Sequence, residues 1–110
     1  MAKIDIEAVG RAMAAAAIKV LKDKAPEIKS YAKTEGQKLA HTIALIGERY
    51  AAGEIDEAHA KLLLRLQKNA SMTVFLTIEG LGVLTVEAAL NAAFDVVRKT
   101  VNTAVGFILL

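Results

Sequence analysis

The chain has 110 residues, enough to bury one hydrophobic core but not two. Hydrophobic residues make up 55% of it and charged residues 24%, and it has no cysteine, which excludes disulfides and thiolate metal sites. A net charge of +2 and a pI near 9.0 fall short of the dense basic face expected of a nucleic-acid-binding domain.

Aromatic residues are 5% of the chain and Trp is absent, so the apolar content is mainly Ala, Val, Leu and Ile. Mean hydropathy is +0.39, high for a chain with an ordinary share of charge. That combination implies charges gathered on narrow stripes and wide apolar faces committed to contacts. The first residues, Met-Ala-Lys-Ile-Asp-Ile-Glu, carry acids where a secretory signal has a basic segment. Cytoplasmic synthesis without cleavage is the expectation.

Hydrophobic periodicity predicts a single all-α domain over residues 1–110, with helical hairpins forming a four-helix bundle-like subunit. The alternative is three helices, the last of them long and kinked. The first helix is expected from about Ile4 to Lys22, with Ile6, Val9, Met13, Ala16 and Val20 on its inner stripe. Asp23-Lys24-Ala25-Pro26 breaks it. Pro26 lacks the helical N–H, fits a first helical turn, and pushes the preceding residue out of helical geometry.

The second helix is expected to run to about Ala51 with Ile28, Ala32, Leu39, Ile43, Ile46 and Tyr50 inward. Glu35 lies beside that stripe, and Gly36 reads as a weak point in the helix. Ala52-Gly53-Glu54-Ile55-Asp56-Glu57 is a stop and restart. Gly53 suits the left-handed residue that closes a helix, and the acids after it suit the dipole of the next one.

The third helix, from near Glu54, is expected to turn Ile55, Leu62, Leu63, Leu66 and Ala70 inward and Lys61, Arg65 and Lys68 outward. Between Met72 and Leu84 the composition also admits a β-hairpin turning at Glu79-Gly80-Leu81-Gly82. Helical flanks and the marginal stability of a lone hairpin favour helix to about Glu79, then a turn or kink at Gly80 and Gly82. The fourth helix is expected from an N-cap at Thr85 to Ile108. Val86, Leu90, Ala93, Phe94, Val97, Val101, Ala104, Val105 and Ile108 form its stripe. Ala89, Val96 and Phe107 widen the apolar arc to roughly 200° at 3.6 residues per turn, which implies neighbours on more than one side.

Candidate chemistry is sparse. His41 and His59 fall on different helices, and Asp56-x-x-His59 is one carboxylate–histidine pair without the second copy that a di-metal bundle needs. Ser30 and Ser71 sit in no nucleophile motif, and Gly80-Leu81-Gly82 lacks the lysine and remaining glycines of a phosphate loop. The chain is therefore read as non-enzymatic, with no catalytic residue, metal, cofactor or small-molecule substrate. Lys19, Lys22, Lys24, Lys29, Lys33 and Lys38 are interleaved with Asp23, Glu27 and Glu35 and accompanied by no Arg, which argues against nucleic acid.

From Ala70 onward only Glu79, Glu87, Asp95, Arg98 and Lys99 are charged, and the segment runs out through Phe107-Ile108-Leu109-Leu110. Residues 70–110 are thus the expected assembly segment of a structural subunit, a homo-oligomer or part of a larger protein complex. Virion parts, shells, filaments and scaffold plugs belong to this class. Phe75, Leu76, Leu81, Leu84, Val96, Phe107, Leu109 and Leu110 are the expected interface residues. At the end of the chain, Val97, Val101, Val105 and Ile108 are expected to fill the subunit core, leaving Phe107, Leu109 and Leu110 for a partner. Membrane association is the rival reading. The apolar run from Met72 to Val86 is shorter than the ~20 residues of a spanning helix, which leaves an interfacial or re-entrant arrangement.

Overall fold

Helices account for all the regular secondary structure in the computed structural model, which describes residues 4–21, 27–78 and 81–110. They are α1 (Ile6–Leu21), α2 (Glu27–Ala51), α3 (Glu57–Leu76) and α4 (Val83–Val105). The predicted four-helix bundle-like all-α fold is what the chain adopts. No strand occurs among the described residues, so the hairpin reading of residues 72–84 gives way to the end of α3, a connection and the start of α4. The three-helix alternative fails as well, because α3 and α4 are separate helices packed against each other. The break at residues 23–26, including Pro26, lies outside the described residues, as does Gly80.

Each described boundary has a local cause. Asp5 Oδ1 accepts from the Ala8 amide at 3.0 Å at the start of α1. Asp56 Oδ1 accepts from the His59 amide at 2.8 Å and caps α3, so the Asp56-x-x-His59 spacing is that of an N-cap. Helix α3 consequently starts at Glu57 and not near Glu54. Gly53, at φ 75°, closes α2 as predicted. Its amide donates to Tyr50 O and that of Glu54 to Arg49 O, both at 3.0 Å, the paired bonds of a left-handed C-terminal cap. Gly82 precedes α4 in extended geometry as its N-cap, so α4 begins at Val83 and Thr85 is already inside it.

The helices form a ring in chain order. α1 packs along both α2 and α4, while α3 sits diagonally opposite α1, and the α1 and α3 backbones do not approach each other. The closest approach in the bundle is between α1 and α2. A Cβ built on Gly36 would lie 2.7 Å from the Gly10 carbonyl oxygen and 3.2 Å from the Ala14 Cβ. Gly36 is therefore the contact that lets two backbones nearly touch, not a weak point that the helix tolerates. The crossing also sets the rotation of α1, whose buried row is Val9, Met13, Ala17 and Leu21, in steps of four, with Gly10 and Ala14 beside it. Of the predicted stripe, Val9 and Met13 hold, Ile6 and Ala16 are half-buried, and Val20 is exposed.

Phe75 enters the centre of the ring from α3 and is the largest fully buried side chain. Around it stand Met13 and Ala17 of α1, Leu39 of α2, and Leu90 and Ala93 of α4, leaving only about 10 Å³ of internal space. The predicted stripe of α4 is buried from Val86 to Val105, and Ala89 with it. The apolar arc of α4 is wide because the helix packs against both α1 and α3.

Gly36→Ala is expected to lower stability by about 1–3 kcal/mol, because the added methyl must force two backbones apart. Gly10→Ala is expected to be milder, since its nearest neighbour would be 3.3 Å away; thermal melts of the two variants make the comparison. At Gly53, where an added side chain meets open space, Val is expected to cost about 1–2 kcal/mol through the left-handed backbone alone. Asn at the same position should melt closer to wild type.

Candidate assembly surface

The end of the chain folds back onto its own bundle. Gly106 takes φ 87° and ends α4, three residues after Thr103 and short of the expected Ile108. Beyond it, Asn102 Oδ1 accepts from the amides of both Leu109 and Leu110 at 2.9 Å. The Asn102 side chain, read from sequence as part of a solvated stripe, is the latch of the tail. Leu109 is buried, while Phe107 and Leu110 are half-buried against the core. The Phe107 ring lies 4.5 Å from that of Tyr50 at the end of α2. Ile108 is 72% exposed, so the tail faces the opposite way to the expectation. A left-handed glycine reverses the chain and exchanges the inward and outward positions.

The other expected interface residues divide in two. Phe75 and Leu81 are buried in this chain's own core and present no surface to a partner, as is Leu109. Leu76, Leu84 and Val96 are exposed, Leu84 the most at 80%. Among the turn positions, Gly53 and Gly82 lie at helix ends as described above.

A different apolar surface emerges on α3. Leu62 and Leu66, expected inward, are exposed by 48% and 56%, and Ala70 is exposed as well. The buried positions are Ala60, Leu64, Ser71 and Phe75. Helix α3 is thus rotated so that Ala60, Leu64, Ser71 and Phe75 meet the core while Leu62 and Leu66 meet solvent. Leu62, Leu66, Asn69, Thr73 and Leu76 are all exposed and recur at steps of four, three, four and three along the outer face of α3. That spacing is the a/d seam of a coiled coil, with the polar Asn69 and Thr73 between Leu66 and Leu76. Next to the seam, Leu45 of α2 is 49% exposed and borders, with Ile46, Leu63 and Leu66, a groove of about 270 Å³ between α2 and α3.

Polar groups inside the bundle are few. Glu35 is 3% exposed, closer to the core than its position beside the stripe implied, and it pairs with the exposed Lys38 at 3.2 Å. Ser71 Oγ is fully buried with no hydrogen-bond partner. His41 and His59 are both exposed, and no group of three or more metal-ligating side chains occurs among the described residues. Burial raises the Tyr50 phenol above its ordinary pKa, with a further push from the charge of Glu57, whose carboxylate accepts the phenolic hydrogen bond at 3.4 Å. Among the described residues no helix is long and apolar enough to cross a membrane.

No protein family, curated protein or solved structure matches this chain.

The latch gives a direct test of where the tail belongs. Asn102→Ala removes the acceptor of two part-buried amides and is expected to lower stability by about 1–3 kcal/mol. Light scattering should find the particle mass unchanged, because the tail packs within the subunit. A fall in mass with an unchanged melting temperature would place the tail between subunits instead.

Proposed function

We propose that this chain is a non-enzymatic structural subunit that assembles with further copies of itself through the outer face of α3. The seam of Leu62, Leu66, Asn69, Thr73 and Leu76 carries this reading. A surface helix needs only one apolar stripe to join its own bundle. Helix α3 has a second one, pointing away from its bundle, with the knob spacing that packs a helix against a like helix.

The placement of the exposed leucines supports a second copy as the occupant. The exposed leucines stand beside the α2–α3 groove, so knob and hole lie on one face, as a two-fold contact requires. A two-fold contact closes at a dimer, so shells, filaments and virion parts require a further contact besides this one. The seam replaces the C-terminal tail as the contact surface, and Leu76 is the residue common to both readings.

In detergent-free buffer at micromolar concentration, light scattering is expected to give a mass at least twice 11.7 kDa. Leu62→Glu with Leu66→Glu should reduce it to the monomer mass while helical circular dichroism persists. A monodisperse monomer of the wild-type chain would overturn the proposal. So would flotation with liposomes in place of self-association, the outcome that membrane association requires.

A further inference from the structure

The side of α3 that faces α4 carries a second groove of a different character. Its volume is about 310 Å³, and its floor is apolar: Leu64 from α3, Phe94 from α4, and Leu109 and Leu110 from the latched tail. Its rim holds Lys61, Arg65, Lys68 and Arg98, and no Asp or Glu side chain lines it. Arg98 is partly neutralised by Asp95, its ion-pair partner on α4. Lys68 Nζ donates to Asn91 Oδ1 at 3.2 Å and stands 5.3 Å from the centre of the Phe94 ring, so its contacts are neutral. Lys61 and Arg65 have no ion-pair partner among the described residues.

Lys61, Arg65 and Lys68 follow one another at steps of four and three along one helix face, where like charges repel. An isolated solvated stripe would relieve that repulsion with interleaved acids, as Glu7 and Arg11 do on α1. Here Glu57 stands one turn before Lys61, but no acid separates Lys61, Arg65 and Lys68, and all three line a groove with an apolar floor. The matching ligand has one anionic end and an apolar body.

We propose that this groove binds a single-chain amphiphilic anion, a fatty-acyl carboxylate. Its carboxylate sits between Lys61 and Arg65, and its chain lies along Leu64, Phe94 and the tail leucines. Size sets the chain length. A cavity of about 150 Å³ takes a benzene ring, so twice that volume suits a chain of roughly ten carbons. The volume also lies at the lower end of the usual range for small-molecule sites, about 300–1,000 Å³. Asn102 positions the site without touching the ligand, since it holds Leu109 and Leu110 against the groove.

Decanoate, kept below its micelle-forming concentration, is the probe. Calorimetric titration should saturate at one site per chain, and amide shifts should concentrate between Lys61 and Lys68, near Phe94, and at Leu109 and Leu110. Lys61→Gln with Arg65→Gln, both at exposed positions, should weaken binding on the order of tenfold. Lys19→Gln with Lys29→Gln, which remove equal charge from exposed positions elsewhere, should leave it unchanged. Decanol has the chain without the charge and acetate the charge without the chain; each should bind more weakly than decanoate. Equal affinity for decanoate and decanol, equal effects of the two double variants, or no saturable binding would each overturn the proposal. Binding confined to anionic vesicles would overturn it too, by assigning the cations to a lipid surface.

Discussion

The approach of α1 to α2 at Gly10 and Gly36 is the constraint on which the rest of the bundle depends. The Gly10 carbonyl oxygen lies 2.7 Å from where a Gly36 side chain would begin, so glycine at position 36 is what admits this approach. Alanines at 14, 17, 32, 40 and 44 are buried around the crossing and keep the helices close along their length. Such contacts remove little apolar area per residue, so short-range dispersion carries much of their stabilisation. Fixing α2 in this rotation also drives Glu35, the neighbour of Gly36, inward to 3% exposure. A carboxylate buried there is tolerable because Lys38, one turn on, reaches it from solvent. The narrow interior that remains is filled by Met13, Leu39, Leu90 and Phe75.

The sequence disclosed the fold wherever large apolar residues alone defined a stripe. Helix α4 is the clear case, because valine, leucine and phenylalanine recur from Val86 to Val105 against a polar opposite face. The turn at Gly53 was equally legible, since a left-handed cap demands glycine and acids follow it. Reading failed where the contacts are made by small residues. On α1 four consecutive alanines, Ala14 to Ala17, carry no directional signal, and the stripe was placed on Ala16 and Val20 when the glycine crossing buries Ala17 and Leu21. Nothing in hydropathy marks Gly36 as a contact.

The surface regions follow the same logic. Four leucines at 62, 63, 64 and 66 point round most of α3, so sequence alone could not tell the bundle side from the outer side. The heptad spacing of Leu62, Leu66 and Leu76 was present, but Ala60 and Ser71 decide which face is buried, and both read as weak signals. The tail turned on Gly106, whose position just before an apolar run is itself a helix-stop pattern. The basic groove needs α4 and the tail to be brought beside Lys61 and Arg65, an arrangement set by the fold and by no local motif.

Packing round the ring is unequal: α1 is held along its length by two neighbours, while grooves separate α3 from α2 on one side and from α4 on the other. Free energies of local opening follow such differences, with sparsely packed elements opening before the global transition. Amide hydrogens of α3 are therefore expected to exchange ahead of those in α1 and α4. Because α3 delivers Phe75 to the centre of the bundle, its detachment unstoppers the interior and exposes the ring around Met13 and Leu90. Anything that grips α3 from outside raises the cost of that opening by mass action, and so protects a core it never touches.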